Sequence, residues 1–259
     1  MSALAPLLQA FFTDRLAAQR HASPNTIGSY RDTFRLLLDY ATVTTKKKPS
    51  GLDIADLNAP LIASFLDHLE RDRHNSVRTR NNRLAAIHSL FNYAALHHPE
   101  HADTIGRVLA IPVKRYERTM LTWLTEVEAD ALLAAPDRNT WTGRRDHTLL
   151  VLAIQTGLRI SELIGLNHPD IHLGSGAHVL CMGKGRKQRA TPLTRHTVAV
   201  LRTWLDEQQG ALTDPIFPTR TGSRLSRDAI EHRLTAYLTV AGPKCRSLTG
   251  KRVTMHTLR

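Results

Sequence analysis

The sequence predicts a mainly α-helical protein with a small antiparallel sheet, in which a helical bundle precedes an α+β domain. Three observations predict this fold class. Apolar residues recur at helical spacing throughout the first part of the chain. A basic stretch with a proline, residues 111–118, interrupts that period. Beyond it, short alternating segments around a glycine-rich turn indicate strands among further helices.

Four helices are predicted before the basic stretch. Leucines and phenylalanines at helical spacing mark the first, and a serine–proline start signal at Ser23 marks the second. Short connections between four helices indicate a small bundle. The expected spans are about 4–16, 26–41, 59–71 and 76–97.

Beyond the basic stretch, the pattern mixes helices and strands. Thr125 and Glu128 have the spacing of a capping box, so a helix is expected to begin at Thr125. Two strand-like segments flank the Gly-Lys-Gly-Arg turn at 183–186, which predicts a β-hairpin. Further helices are expected at about 144–155, 160–166, 194–208 and 226–241, and strands at about 171–173, 178–182 and 188–192.

The net charge favours a polyanionic partner. The chain has 35 Lys and Arg against 23 Asp and Glu, which gives a formal net charge of +12. The excess is spread along the chain, with 16 basic and 11 acidic residues up to Arg118 and 19 and 12 after it. Such a field favours binding to nucleic acid.

Nothing in the composition predicts a membrane protein or a metal site. No apolar run approaches the ~18 residues of a membrane span, and the N-terminus lacks the pattern of a signal peptide. These observations predict a cytoplasmic protein with no membrane partner. Cys181 and Cys245 have no Cys or His at metal-ligand spacing, so we expect two reduced thiols and no metal.

The hairpin tip is the first candidate anion site. Gly183 and Gly185 permit a sharp turn with Lys184 between them. A nucleotide-binding P-loop is excluded, because position 178 is His and position 186 is Arg. A solvated basic turn remains the alternative.

Two further motifs suit phosphate chemistry. Arg159 lies at a junction between two predicted helices, and a guanidinium can contact two phosphate oxygens. Glu162 could hold it in place, and a purely structural Arg–Glu pair is the alternative. His256 and Arg259 are three residues apart and would share one face of a helix. A His beside an Arg can move a proton near an anion that the Arg neutralises.

Together these motifs resemble those of the tyrosine recombinase family, which includes phage integrases, Xer-type recombinases and transposon enzymes. The resemblance covers nearly the whole chain. The first half is similar to the family's core-binding domain, above all at residues 23–31 and 80–84. The motifs of the second half are Thr-Gly-Leu-Arg-x-Ser-Glu-Leu at 156–163, Gly-Lys-Gly-x-Lys-x-Arg-x-x-Pro-Leu at 183–193 and His-x-Leu-Arg at 256–259.

The resemblance implies a helical core-binding domain at 1–110, a basic linker at 111–122 and an α+β catalytic domain at 123–259. It implies site-specific recombination for a mobile element, by transesterification of DNA through a phosphotyrosyl intermediate. Double-stranded DNA would be the partner, with further recombinase subunits in a tetramer. No cofactor, metal or small-molecule substrate is implied.

The resemblance also implies roles for individual residues. Arg159 and Arg259 match the two arginines that clamp the non-bridging phosphate oxygens, and Glu162 matches the acidic residue that supports the first of them. Lys184 matches the lysine that protonates the leaving 5′ oxygen, and His256 the histidine that assists proton transfer. We expect contacts with the DNA backbone from Lys187, Arg189, Lys114, Arg115 and Arg83.

The sequence departs from the family pattern after the His-x-x-Arg motif. Family members carry a His or Trp and then the nucleophilic Tyr after the His-x-x-Arg motif. None of the tyrosines here, at positions 30, 40, 93, 116 and 237, matches that nucleophile. We therefore expect a catalytic domain that is truncated after Arg259, with a short helix near His256, and that is inactive alone. The alternative function is a non-catalytic DNA-binding protein that occupies recombination sites and competes with a full-length recombinase. In either case we expect the protein to associate with the nucleoid when it is bound to DNA.

Overall fold

The computed structural model describes residues 4–117, 123–183 and 188–258. The chain divides into two compact units, one within Met1–Arg118 and the other within Thr119–Arg259. Each unit has its own hydrophobic core.

The first unit is a helical bundle, as the apolar periodicity predicts. Its helices begin at side-chain caps, since Ser23, Asn58 and Ser76 each accept a hydrogen bond from the backbone N–H three residues on. One helix was not expected, the short α5. The helices are α1 (Leu4–Ala10), which continues as a π-helix (Phe11–Gln19), α2 (Pro24–Thr45), α3 (Ala59–Arg71), α4 (Val77–His97) and α5 (Ala102–Leu109).

Aromatic side chains form the centre of the first unit's core. Phe11 is fully buried and packs edge-on against Phe34, with ring centroids 6.0 Å apart. The basic stretch that follows α5 is tied to α4 by hydrogen bonds. Asn81 donates to the carbonyl of Lys114 at 2.8 Å and accepts from its N–H at 3.1 Å. Residues 111–117 are therefore held against α4 without regular secondary structure.

The second unit combines five described helices with a three-stranded antiparallel sheet in the order β1-β2-β3. The predicted hairpin is confirmed, since β2 pairs with β3 and places Cys181 opposite Arg189. Residues 184–187 at its tip lie outside the described residues. The elements are α6 (Glu126–Leu133), α7 (Trp141–Thr156), α8 (Ile160–Gly165), β1 (Ile171–His172), β2 (His178–Met182), β3 (Gln188–Pro192), α9 (Arg195–Gln208) and α10 (Arg227–Ala241).

The segment after α10 forms turns where a helix was expected near His256. The N–H of Thr257 donates to the carbonyl of Thr254 at 2.8 Å, and the N–H of Thr254 donates to the Thr257 hydroxyl at 3.0 Å. Residues 255–258 are turns and not a helix, so the helical prediction was wrong for the described residues here. The segment stays in place because Met255 and Leu258 are buried in the second unit's core.

The sequence also predicts two reduced cysteines and no membrane-spanning segment. Cys181 and Cys245 are both buried and unbonded to each other. Over the described ranges, we find no helix with the length and apolarity that crossing a membrane requires.

Candidate active site

Arg159 is positioned by the junction between α7 and α8. Gly157 ends α7 in the left-handed region, with φ 59° and ψ 27°, which a glycine adopts without strain. Arg159 then has extended backbone angles and is the N-cap residue of α8. Leu158 and Leu163 are buried on either side of it. The junction is therefore anchored to the core while the Arg159 side chain remains 42% exposed.

Glu162 holds Arg159 at two points. One carboxylate oxygen, Oε2, accepts the backbone N–H of Arg159 at 2.7 Å. The other, Oε1, accepts Nη1 of the Arg159 guanidinium at 3.0 Å. The Glu162 side chain is only 5% exposed, so this carboxylate is a buried fixed point beneath a half-exposed cation. The exposed part of the guanidinium has N–H groups available to an anion.

A second arginine also reaches Glu162. Nη2 of Arg189, on β3, donates to Oε2 of Glu162 at 3.1 Å. Burial alone would raise the pKa of Glu162, but the backbone and side-chain hydrogen bonds from Arg159 and the charges of both arginines lower it below the ordinary value. Glu162 is therefore a carboxylate at neutral pH, shared by two cations.

His256 lies in the turn after α10 and is exposed. Its neighbour Met255 donates its N–H to Oε1 of Glu231 on α10 at 3.3 Å. Five residues before His256, Lys251 donates to both carboxylate oxygens of Glu128 on α6, at 2.6 and 2.7 Å. The hydrogen bond from Lys251 lowers the pKa of Glu128 to about 2, so this pair is fully charged at neutral pH. The His256 segment is thus fixed to two helices.

The structure brings together only part of the predicted site. Arg159, Glu162 and Arg189 form one contact group, and the segments that carry them share a hydrophobic core with the segment of His256. Lys184, Lys187 and Arg259 lie outside the described residues. Across the described ranges, we find no group of three or more His, Cys, Asp and Glu side chains placed to hold a metal ion.

The predicted DNA contacts of the first unit lie on or beside α4. Arg83 is half-buried and donates to the Thr33 hydroxyl at 3.3 Å; burial lowers the pKa of its guanidinium. Lys114 is paired with Glu70 at 2.5 Å, and Arg115 is exposed. The contacts of Arg83, Lys114 and Arg115 with DNA remain predictions, because these positions do not test them.

Comparisons with known proteins agree with this architecture. Residues 122–259 match the model of the phage integrase family, and residues 10–98 match the phage integrase N-terminal SAM-like domain. The putative integrase/recombinase y4rC of Sinorhizobium fredii (strain NBRC 101917 / NGR234) is 54% identical over 258 residues, which span 100% of this chain and 78% of that protein. The chain belongs to the phage integrase family. The predicted resemblance to tyrosine recombinases is confirmed.

Two other similarities extend this result. The tyrosine recombinase XerD of Vibrio vulnificus (strain YJ016) is 30% identical to this chain over 237 residues, which span 89% of this chain and 74% of that protein. The structure of a Tn1549 transposon integrase in complex with circular intermediate DNA matches with a TM-score of 0.70 and 15% identity. The match covers 100% of this chain and 84% of the transposon integrase chain. This structural likeness concerns the fold, and it confirms the predicted fold class.

Tyr237 is the one tyrosine in the second unit, and its hydroxyl is already engaged. It donates to Oδ2 of the buried Asp146 at 2.5 Å. Burial and this carboxylate raise the pKa of Tyr237 well above its usual range. A nucleophilic tyrosine must lose its proton, and this environment opposes that loss. The other tyrosines all belong to the first unit.

The sequence did not reveal the contacts around Asp146. Its Oδ1 accepts Nε and Nη2 of Arg145 at 2.9 and 2.7 Å, and its Oδ2 lies 3.2 Å from Nε of Arg233. Arg145 also donates to the carbonyl of Pro218 at 2.7 Å. An adjacent Arg-Asp pair within a long apolar helix was the available signal, because such charges are seldom buried unless they are paired.

Proposed function

We propose that this chain supplies the DNA-binding and phosphate-binding parts of a site-specific recombinase of a mobile element. The reaction is transesterification: a tyrosine oxygen attacks the scissile phosphodiester, and the 5′ oxygen leaves with a proton. In this proposal residues 1–110 form the core-binding domain, 111–122 the linker and 123–259 the catalytic domain. The naming of y4rC as an integrase/recombinase and of a transposon integrase among the structural matches supports the mobile-element context.

The observation that carries the proposal is the state of Arg159. Its guanidinium is half-exposed, yet two hydrogen bonds to a buried carboxylate fix its backbone and one of its nitrogens. Charge that accumulates on phosphoryl oxygens is stabilised most by cations that are already in place. In this proposal Arg259 is the second clamp, Lys184 protonates the leaving 5′ oxygen and the exposed His256 assists proton transfer.

Double-stranded DNA is the proposed partner, bound with other recombinase subunits. The net charge of +12 supports a polyanion, and the matched transposon integrase is in complex with DNA. Backbone contacts are proposed for Lys187, Lys114, Arg115 and Arg83. If about 6–10 phosphates are contacted, affinity should fall ~10³–10⁵-fold between ~50 and ~200 mM salt.

We further propose that the 259 residues alone bind DNA without cleaving it. Tyr237 is committed to Asp146, and none of the other tyrosines lies in the unit that carries Arg159. The attacking hydroxyl would have to come from outside this sequence. The same observation favours the second candidate function, a non-catalytic protein that occupies recombination sites and competes with a full-length recombinase.

Suicide-substrate trapping tests these proposals. A duplex selected from a random-sequence pool by this chain is nicked at successive positions, so that cleavage releases a short fragment and traps any phosphotyrosyl adduct. We expect salt-sensitive, sequence-selective binding and no covalent adduct on a denaturing gel. An adduct that disappears in Tyr237→Phe would overturn the assignment of Tyr237 and the claim of inactivity. Failure to select any duplex would overturn the DNA-binding proposal itself.

A further inference from the structure

Arg189 is held more firmly than a surface arginine on a hairpin requires. It lies on β3 directly opposite Cys181 of β2, and Nε donates to the Cys181 sulfur at 3.2 Å. Nη2 donates to Oε2 of Glu162 at 3.1 Å. Two different nitrogens of one planar group are therefore fixed by two elements, β2 and α8. A guanidinium held in this way is oriented by the fold.

The two arginines at Glu162 share a single oxygen. Oε2 accepts both the backbone N–H of Arg159 and Nη2 of Arg189, while Oε1 accepts Nη1 of Arg159. The Glu162 carboxylate is nearly enclosed, whereas the side chains of both arginines are about 40% exposed. One buried negative charge thus lies beneath two cations, and the group retains a formal charge of +1.

We propose that Arg189 is a positioning residue for the recombination site: it fixes Glu162, and through Glu162 it fixes Arg159 and keeps its charge available to a phosphate. Without Arg189, the charge of the Glu162 carboxylate would be balanced by Arg159 alone, and the carboxylate could rotate towards the Arg159 guanidinium. With Arg189, one carboxylate oxygen is occupied by a second cation, and the group attracts an anion. This inference rests on the proposed role of Arg159 in binding the scissile phosphate.

The competing assignment is that Arg189 contacts the DNA backbone directly. Its exposure of 39% permits such a contact. The two roles predict different results. A backbone contact contributes the same free energy whatever the state of the scissile phosphate, and it adds about one unit to the salt dependence. If Arg189 is a positioning residue, its removal changes only the binding free energy that Arg159 contributes at the scissile phosphate.

The first experiment needs no DNA. Nuclear magnetic resonance of the full chain with ¹³C-labelled glutamate carboxyls and ¹⁵N-labelled arginines follows the Glu162 titration and the Arg159 side-chain signal. Arg189→Gln should raise the Glu162 titration point and broaden or move the Arg159 Nε–H signal. Arg202→Gln, which removes an equal charge from the exposed face of α9, is the matched control and should leave both signals unchanged. Unchanged signals in Arg189→Gln would overturn the proposal.

Two further variants separate charge from geometry. Arg189→Lys keeps the charge but cannot hold Cys181 and Glu162 with a planar fork, so we expect the Glu162 titration to be largely restored and the Arg159 signal to remain altered. Cys181→Ala keeps Arg189 and removes one acceptor, and it should produce a smaller change of the same kind. These variants also preserve the test if Arg189→Gln fails to fold.

The second experiment uses a duplex selected from a random pool by the wild-type chain. A neutral methylphosphonate is placed at each position in turn, and the position that weakens wild-type binding but not Arg159→Ala binding marks the phosphate held by Arg159. Arg189→Gln should weaken binding to the unmodified duplex on the order of tenfold, a coupling expected between contacting residues. It should have little effect on the duplex that is neutral at the marked position.

Three outcomes are distinguishable. Equal weakening on both duplexes, with a salt slope reduced by about one, would make Arg189 a direct DNA contact and overturn the positioning role. If no duplex is selected by the wild-type chain, the proposed function fails, and the magnetic resonance result alone decides whether Arg189 positions Glu162. The proposal is supported if Arg189→Gln binds the unmodified duplex no more tightly than the duplex that is neutral at the marked position, and if the Glu162 titration point also moves.

Discussion

Among the described residues of the second unit, Asp146 and Glu162 each contact two arginines, and the two carboxylates differ in what surrounds them. Asp146 is enclosed: the Arg145 side chain beside it is 3% exposed, donates to the carbonyl of Pro218 and lies 5.3 Å above the Trp141 ring. Each of the three guanidinium nitrogens of Arg145 donates a hydrogen bond within the protein. Glu162 is just as buried, but the cation it supports is open to solvent.

From this difference we expect that the exposure of the principal arginine, Arg145 or Arg159, decides the role of such a group, and that the carboxylate does not. The enclosed pair at Asp146 fastens α7 to α10, because Tyr237 and Arg233 both reach Asp146 from α10. At Glu162, Arg159 keeps N–H groups for a ligand. We therefore expect the first group to govern stability and the second to govern phosphate binding.

The largest expected effect is the loss of Asp146. Asp146→Ala leaves Arg145 buried with an uncompensated charge, and breaking a buried pair in this way typically costs ~3–5 kcal/mol. Urea unfolding at neutral pH measures it. Asp206→Ala, on the exposed face of α9, is the control and should change stability by less than about 0.5 kcal/mol. A loss below about 1 kcal/mol at Asp146 would mean that the enclosed group is not the structural one.

Glu162→Ala should cost less, about 2 kcal/mol, because water can reach both arginines once the carboxylate is gone. DNA binding should nevertheless suffer more in this variant than in Asp146→Ala under conditions where both are folded. Unfolding midpoints and gel shifts on the same preparations provide the comparison. Equal loss of binding in the two variants would remove the distinction between them.

The acid dependence of Glu162 sharpens the same prediction. Its pKa is lowered in the folded protein, so its stabilisation is fully present above the ordinary value of 4.5 and is lost as pH falls through the lowered value. The stability difference between the wild type and Glu162→Gln should therefore shrink as pH falls below 4.5. A difference that grows on acidification would contradict the assignment.

Contacts between residues close in sequence could be predicted at Glu162 and at Glu128, whereas contacts between distant residues, and all those around Asp146, could not. Arg159 and Glu162 are three residues apart at a helix start, so their pairing was expected from spacing. The capping box of Thr125 and Glu128 was expected for the same reason, and it is present. By contrast, Lys251 reaches Glu128 from 123 residues away, a contact that depends on the packing of the whole unit.

Two other failures have local causes. The unexpected α5 is short and contains Gly106, which lowers helix propensity and hides the helix from a periodicity argument. The turn at His256 is closed by two hydrogen bonds between Thr254 and Thr257, one between backbone groups and one from the Thr254 N–H to the Thr257 hydroxyl. The family motifs predicted which residues form the site and that Glu162 supports Arg159, but they did not predict the contact between Arg189 and Glu162.

Tyr237→Phe should have the third-largest effect, about 1.5 kcal/mol, since a hydrogen bond to a charged acceptor is lost while Asp146 keeps both arginines. Thermal unfolding with matched circular dichroism measures it. DNA binding should remain at the wild-type level, because the tyrosine belongs to the enclosed group. Reduced binding with unchanged stability would instead place this hydroxyl at the DNA.

The smallest expected effect distinguishes the two arginines of the enclosed group. Arg233 is 32% exposed and contacts Asp146 through Nε alone at 3.2 Å. Because exposed ion pairs contribute little, Arg233→Met should cost less than about 1 kcal/mol, whereas Arg145→Met should cost several times more. Urea unfolding of the two variants side by side measures the ratio. Similar losses would show that the number of arginines on a carboxylate matters more than their exposure, and the contrast drawn between Asp146 and Glu162 would then fail.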